Sequence, residues 1–543
     1  MKKKEMPEDF LIVRDLTKEF TPGLPIVRNI SFTLGEAKTF GLLGKSGQGK
    51  SVIMQAIRGV PEYEPTSGEI IFRVAYCPNC HWVEYPSQAG EPCPKCSTGM
   101  EFREVNYWEE LNKQSRIGKS IHDRIAIMPQ RGFSLYSEFP AVENIRRVLL
   151  SIGYPEAEVD LRAVELLSSV RLQHRLLHLG RDLSGGEKQR VIFAMCLARN
   201  PLLFLADEPT GTLDPITSVV VSNVIKEAVE KSRVSLLLTS HWPEAVKMLT
   251  EEAILLENGE AVMKGKSEDI YRAFMEKVEK LEVQRFKGVK PIVKCEGVRK
   301  WYYTFDRGLV KAVDGVDLEI YEGEVFGIVG LSGSGKTTLA HMIIGLKPVT
   351  QGKIVVRIGE EWIDMGIPGP DERGRATIHM DILHQEYTLH AGRIILENLT
   401  GVVTEPLPEE VKTQRAYEVL RAVNFTDPEI DYLLYKLPDQ LSEGERHRVC
   451  IARSLMKKPK LVLLDEPTGT ADPITRVEIA KSIRSARDAL GQTYLIISHD
   501  IDFMKLACDR AMYMRHGKVQ AIGDPDEIID LMVRTERAAL EEG

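Results

Sequence analysis

The sequence predicts an α/β protein built twice in tandem, with a small four-cysteine domain set into the first copy. Three observations predict this. One series of motifs occurs twice, in the same order. In each copy an apolar run of strand character leads into a glycine-rich loop and then into an apolar helical stretch. Four of the eight cysteines fall between Cys77 and Cys96, in the first copy alone.

The duplication sets the domain plan. GLLGKSGQGKS at 41–51 answers GIVGLSGSGKT at 327–337, and LSGGEKQR at 183–190 answers LSEGERHR at 441–448. LADEPTGTLDP at 205–215 answers LLDEPTGTADP at 463–473, and TSHW at 239–242 answers SHD at 498–500. Lys50 and Lys336 are 286 positions apart, whereas Ser184–Ser442, Glu208–Glu466 and His241–His499 are each separated by 258. The first copy therefore holds 28 extra residues between its glycine-rich loop and its LSGGE, and the cysteine cluster lies in that interval. We expect a first domain at 9–265 with an insert at 74–104. A helix plus short linker should follow at 266–290, and a second domain at 291–543.

Composition narrows the function classes. The chain has 543 residues, 43% hydrophobic and 28% charged, with a net charge of -8. That charge argues against broad phosphate neutralisation, so no nucleic acid is expected as a partner. No apolar run reaches the ~18–20 residues that span a bilayer. The lysine-rich start lacks the apolar core of a signal peptide. A cytoplasmic protein is expected. Cys196, Cys295, Cys450 and Cys508 lie in or beside apolar stretches and read as small buried thiols.

The two loops carry the chemistry. Gly44, Gly47, Gly49, Lys50 and Ser51 in one copy match Gly330, Gly333, Gly335, Lys336 and Thr337 in the other, both in the pattern G-x-x-x-x-G-K-[ST]. Glycines let the backbone wrap close to phosphate, and loop N–H groups and a helix N-terminus supply positive partial charge. Lys50 and Lys336 should reach the β- and γ-phosphates of ATP, with the Ser51 and Thr337 hydroxyls on Mg²⁺. The apolar runs PLLFLADEP and KLVLLDEP each end in two acids. A buried acid pair needs a cation nearby. Asp207 and Asp465 should support Mg²⁺, and Glu208 and Glu466 should polarise the attacking water as general bases. The competing reading, strand-end acids that cap the next turn, does not account for the same position and order in both copies.

With these motifs in hand, the chain resembles the ATP-binding cassette (ABC) ATPases over nearly its whole length. The resemblance implies two P-loop ABC-type nucleotide-binding domains in tandem, each a doubly wound α/β core with a helical subdomain. It implies a head-to-tail cassette pair, with each ATP between one P-loop and the other cassette's signature. It implies Q-loop glutamines at Gln130 and Gln385 that sense Mg²⁺, and switch histidines at His241 and His499 that contact the γ-phosphate. It further implies D-loop aspartates at Asp214 and Asp472, signature residues at Ser184, Gly186, Ser442 and Gly444, and adenine-stacking aromatics at Phe20 and Tyr302. Glu443 replaces a signature glycine, so the two sites should turn over at unequal rates.

Cys77-x-x-Cys80 and Cys93-x-x-Cys96 are two knuckles separated by twelve residues. Four thiolates at this spacing can close a zinc-ribbon-like tetrahedral site. Zn²⁺ is the commonest occupant. Rubredoxin-like iron is the alternative, and two disulfides come third. About thirty residues cannot bury much core, so the metal would supply folding energy. The expected use is partner docking. His81, Trp82 and Tyr85 are expected either to be exposed for that purpose or to form the insert's own small core.

Two narrower resemblances remain. SGQGKSV, the stretch 134–144 and DEPTGTLDP are similar to peptide- or nickel-type transporter ATPases. The twin arrangement with SGEIIFRVAYCPNC and YPSQAGEPCPKC in the first copy resembles the component A2 family of the methyl-coenzyme M reductase system. The latter implies a role in ATP-dependent reductive activation of a nickel enzyme of methanogenesis. Its implied partners are methyl-coenzyme M reductase and iron–sulfur activation proteins. A translation or ribosome-associated ABC ATPase is a third class. Residues 1–40 lack the cysteines of the recycling type, and the linker is shorter than in the translation type.

Overall fold

The computed structural model describes residues 9–129, 135–211, 213–304, 308–384, 389–469 and 471–542. The chain divides into two compact units, Met1–Leu213 with Thr217–Val278, and Asp214–Ile216 with Glu279–Gly543.

In the first unit the strands are β1 (Asp9–Thr21), β2 (Leu24–Gly35), β3 (Thr39–Leu43), β4 (Ser67–Tyr76), β5 (Val83–Glu84), β6 (Glu101–Asn106), β7 (Ile125–Met128), β8 (Leu203–Asp207), β9 (Ser235–Ser240), β10 (Glu252–Glu257) and β11 (Glu260–Lys266). Their order in the main sheet is β11-β10-β3-β9-β8-β7, parallel from β10 to β7 with β11 antiparallel at the edge. β3, β8 and β9 are almost wholly buried, as continuous apolar runs of parallel strands should be. Parallel order brings the C-terminal ends of β3, β8 and β9 to one edge of the sheet. There the glycine loop, the acids and the switch histidine meet, in the crevice where open α/β sheets bind ligands. A second, antiparallel sheet runs β2-β1-β4-β5, with β6 also on β4. A helical segment lies between β7 and β8, built on the helices Ala141–Ser151, Val159–Ser169 and Gly185–Ala198.

The second unit repeats the plan. Its main sheet runs Met380–Leu383, Leu461–Asp465, Thr493–Ile497, Val325–Val329, Arg510–Arg515 and Lys518–Gly523 in spatial order. Its antiparallel sheet pairs Pro291–Thr304 with Gly308–Tyr321 and Gln351–Ile358, and the latter with Glu361–Asp364.

The insert is a hairpin extension of the antiparallel sheet. β4 runs directly into the first knuckle, and β6 returns along it in unbroken register from Tyr76↔Glu101 to Ile71↔Asn106. Ala75, Cys77, Cys93 and Met100 form its small core, with Trp82, Ala89 and Cys96 packed on it. Trp82 thus joins the insert's own core, one of the two places expected of it, whereas Tyr85 departs from both. Tyr85 is neither exposed nor part of that core; it is buried in the main core of the first unit, edge-on to Phe10 at 5.0 Å. Trp82 is half-buried between Lys95 and Arg124, and His81 lies between the Tyr76 hydroxyl and Arg116. In the segment expected as helix plus linker, the helix is Ser267–Met275. From Glu279 onward the chain belongs to the second unit. Arg285 donates to the Lys505 carbonyl (2.8 Å) and to Asp526 (2.7 Å), and the Phe286 N–H donates to the buried Asp509 (2.9 Å).

Candidate active sites and metal centre

Each P-loop joins a buried strand to a helix that starts at its lysine. The loop helices are Lys50–Arg58 and Lys336–Ile343. Gly47 and Gly333 take left-handed backbone at φ 79° and 80°, and a Cβ on either would meet nothing within 4 Å. An L side chain is strained there, and the open space is where a phosphate would lie. The Lys50 ammonium donates to the Gly44 and Lys45 carbonyls at 2.8 Å. Lys336 does the same to Gly330 (2.8 Å) and Leu331 (2.9 Å). Both lysines are buried, and burial lowers the Lys336 pKa against the pull of Glu466.

The acids lie against these loops. The Ser51 hydroxyl donates to Asp207 Oδ1 at 3.2 Å, and the Thr239 hydroxyl donates to the same oxygen. Burial, with Glu208 beside it, raises the Asp207 pKa, and Asp465 is raised by burial and Glu466 in the same way. An acid so placed favours a cation next to it, so a hydroxyl–carboxylate pair here fits Mg²⁺. Glu208 lies 3.8 Å from Lys50 Nζ and 2.7 Å from His241 Nδ1. Burial alone would raise its pKa, but the charges of His241 and Lys50 outweigh that and hold it low. The second unit repeats this: His499 Nδ1 is 2.9 Å from Glu466, the Ser498 hydroxyl donates to Glu466 at 3.0 Å, and Glu466 is held low while His499 is raised. Glu208 and Glu466 both adopt left-handed backbone, φ 51° and 53°. Such strain in a non-glycine residue costs ~1–3 kcal/mol and concentrates at functional sites. The other nitrogen of His241, Nε2, is buried with no hydrogen-bond partner. A phosphate oxygen would satisfy it.

Ser184 caps the helix Gly185–Ala198 through a capping box with Glu187, and Ser442 caps Glu443–Leu455 with Glu445. Both serines are exposed, each at a helix N-terminus suited to an anion. Glu443 is half-buried in the first turn of its helix. Asp472 is buried and caps the helix Pro473–Leu490, accepting from the Ile474 and Thr475 N–H groups. Phe20 is 50% exposed at the end of β1, edge-on to Tyr63 at 5.5 Å. Tyr302 is half-buried on the strand Pro291–Thr304. Gln130 and Gln385 lie outside the described residues. Thr239, Ser240 and Ser498 were missed from sequence as partners of the acids. The signal was available, because a serine precedes the switch histidine in both copies.

In the insert the four sulfurs lie within 4.8 Å of one another. Three of the separations are 3.4 Å (Cys77–Cys96) and 3.5 Å (Cys80–Cys93 and Cys80–Cys96). A disulfide requires about 2.05 Å. A tetrahedral zinc site with Zn–S near 2.3 Å has sulfurs about 3.8 Å apart. The donor set therefore fits a tetrahedral metal. The knuckles are pseudo-symmetric. The His81 N–H donates to the Cys77 carbonyl (2.9 Å), the Ser97 N–H to the Cys93 carbonyl (2.8 Å), and both residues are left-handed, at φ 63° and 59°.

Two phosphate-binding loops, each with its own acid pair and histidine, define a twin nucleoside triphosphatase. The family described as "ABC transporter" matches residues 27–211 and 313–469, and the chain belongs to it. It is an ATP hydrolase of the ABC type, working on ATP with Mg²⁺. The chain is 47% identical over 529 residues to an uncharacterized ABC transporter ATP-binding protein of Methanocaldococcus jannaschii, covering 97% of each chain. It is 28% identical to a peptidoglycan transport ATP-binding protein of Agrobacterium fabrum, over 97% of this chain and 94% of the other. Among solved structures, the ribosome-bound archaeal Pelota and ABCE1 assembly matches with a TM-score of 0.61, 17% identity, 96% of this chain and 80% of that chain. That likeness is one of fold. No helix among the described residues is long and apolar enough to cross a membrane.

Proposed function

We propose that the chain is the conformational motor of a cytoplasmic protein complex that carries out ATP-dependent reductive activation of methyl-coenzyme M reductase. Iron–sulfur proteins would supply the electrons. The observation that carries this reading is the combination of two intact acid–histidine sites with a four-sulfur cluster in the first cassette. An engine that is doubled, but marked on one side, suits a load that is itself asymmetric. The methanogen relative, similar over 97% of both chains, supports it.

In this reading Glu208 and Glu466 accept a proton from the attacking water, each held ionised by its histidine. Lys50 and Lys336 neutralise phosphate charge, while Ser51, Thr337, Asp207, Asp465 and the glutamines Gln130 and Gln385 hold Mg²⁺. Magnesium would screen the charge of the phosphates. Ser184, Gly186, Ser442 and Gly444 close each site from the opposite cassette, and Phe20 and Tyr302 stack on adenine. Cys77, Cys80, Cys93 and Cys96 hold zinc, which folds the insert for docking. ATP closes the pair and hydrolysis reopens it, biasing a bound partner between two states.

The full-length similarity to a transport ATPase favours a second reading, the ATPase component of a transporter. Capture of the tagged chain from native lysate separates the two. Recovery of reductase and iron–sulfur subunits supports the first. Recovery of permeases instead would establish the second, and co-sedimentation with ribosomes would overturn both.

A further inference from the structure

Among the places where the insert meets the rest of the first cassette, one is the root of β8. Two struts reach it. The Tyr85 hydroxyl donates to the Leu202 carbonyl (2.5 Å), accepts from the Ser235 N–H (2.7 Å) and lies 3.1 Å from Ser235 Oγ. Leu202 directly precedes β8, and Ser235 is the first residue of β9. The other strut starts at Trp82. Its indole N–H donates to Glu84 (2.7 Å), and its ring stacks 4.2 Å from the Arg124 guanidinium. Glu84 accepts from Arg124 Nη1 and Nη2 (3.1 and 3.3 Å), and the Arg124 carbonyl accepts from the Leu202 N–H (2.8 Å). The Trp82 carbonyl in turn accepts from the Cys77 N–H (2.8 Å), inside the first knuckle. Leu202 is thus held at both its N–H and its C=O by groups tied to the cysteine site.

The Ser235 N–H also donates to the Leu202 carbonyl (3.0 Å), and the second cassette keeps this backbone part of the arrangement. The Lys460 N–H donates to the His379 carbonyl (2.7 Å), and the Thr493 N–H to the Lys460 carbonyl (3.1 Å). There the hairpin turns directly from Ile358 to Glu361. Tyr85 and Glu84 belong to the insert, so the side-chain struts are an addition to the first cassette.

We propose that Tyr85 is a positioning residue for hydrolysis in the first cassette, coupling the state of the four-cysteine insert to the spacing of β8 and β9. Those strands are five and six residues long and carry Asp207–Glu208 and Ser240–His241 at their far ends. A close-packed strand buried on both faces has low compressibility and transmits strain from its root. Displacements of about 0.5 Å are enough to misplace a catalytic pair. The regulatory half of the proposal rests on the insert holding a metal.

Hydrogen exchange read by mass spectrometry on the full chain tests this, with the second cassette as internal control. Stripping the metal with 1,10-phenanthroline should speed exchange in 203–209 and 235–241 by about two- to tenfold, the range spanned by one net hydrogen bond. Peptides 461–467 and 493–499 should not change. Tyr85→Phe should reproduce this with the metal retained, lower kcat and leave KM for ATP within about twofold. Metal removal should then add less than it does in the wild type, the remainder passing through Trp82, Glu84 and Arg124. The proposal is overturned if exchange is unaltered, if both cassettes respond alike, or if Tyr85→Phe responds to the chelator as the wild type does. Should Tyr85→Phe fail to fold, Glu84→Gln takes its place, since it breaks the second strut and predicts the same peptides. A purified chain without metal would remove the metal reading alone and leave the strut to the variants.

Discussion

The catalytic glutamate–histidine pair is set differently in the two cassettes. In the first, the side chains of His241 and Glu208 are 3% and 7% exposed and 2.7 Å apart; in the second, His499 and Glu466 are 23% and 16% exposed and 2.9 Å apart. The first is also braced from its insert, and the second ends in a tight hairpin. Duplication has preserved the dyad residue for residue while its surroundings have diverged. The same dyad in a drier setting interacts more strongly. The two engines therefore need not run at one rate.

Loss of the general bases should have the largest effect. The double variant Glu208→Gln/Glu466→Gln should lose about 10²- to 10⁴-fold in kcat, the usual span of such a group. Of the single variants, Glu466→Gln should cost more. In the proposed head-to-tail pair, Glu443 burdens the site of the first P-loop. Equal losses in steady-state hydrolysis would break the asymmetry.

Metal removal comes next. On the proposed zinc site, Cys80→Ser/Cys96→Ser should lower bound zinc from about one per chain to near none. It should also lower the melting temperature of the first cassette by several degrees, at about 2–4 °C per kcal/mol for a domain of this size. The second cassette's transition should stay in place. Calorimetry beside metal analysis reads both quantities.

A smaller effect, dependent on pH, belongs to the second cassette. The His499 pKa is raised: burial opposes the shift, and Glu466 outweighs burial. Its stabilisation is fully present below the ordinary imidazole value near 6.5 and fades as pH rises through the raised value. Glu466 is held low, so its share is present above its ordinary value of about 4.3 and is lost as pH falls through the lowered one. His499→Gln should therefore depress melting more at pH 5.5 than at pH 8.5. A gap that widens with pH would contradict the pairing.

The smallest contrast lies in the signature glycines. A Cβ at Gly186 would sit 2.4 Å from Thr217 Cγ2, a branched methyl with little freedom, whereas at Gly444 it would meet the flexible Glu478 carboxylate at 2.8 Å. Gly186→Ala should cost about 1–3 kcal/mol, as overpacking does, and Gly444→Ala less. Denaturant midpoints will rank them.

Much of this was readable along the chain. Lys50, Ser51, Asp207, Glu208 and His241 recur as Lys336, Thr337, Asp465, Glu466 and His499 because phosphate and magnesium chemistry admits few residue types at few spacings. The four cysteines announced themselves for the same reason. Tyr85 did not. Sequence alone places it among the insert's aromatics, exposed or in a small local core, because its partners lie 117 and 150 residues away and no periodicity marks them. Asp472, assigned to the D-loop by resemblance, also caps the helix that follows it.

Residue chemistry alone was sufficient for the duplicated engine, its acids and the four-sulfur cluster. A phosphate loop or a thiolate knuckle is a local constraint, written into adjacent positions. How the insert is fastened, which acid is shielded and which glycine is crowded came from packing between segments far apart in the chain. Such contacts depend on which strands lie side by side, and no local spacing encodes that. The parallel order β3-β9-β8 brought Ser51, Asp207 and Thr239 together at one sheet edge and left Leu202 and Ser235 side by side at the other, where the insert could reach them.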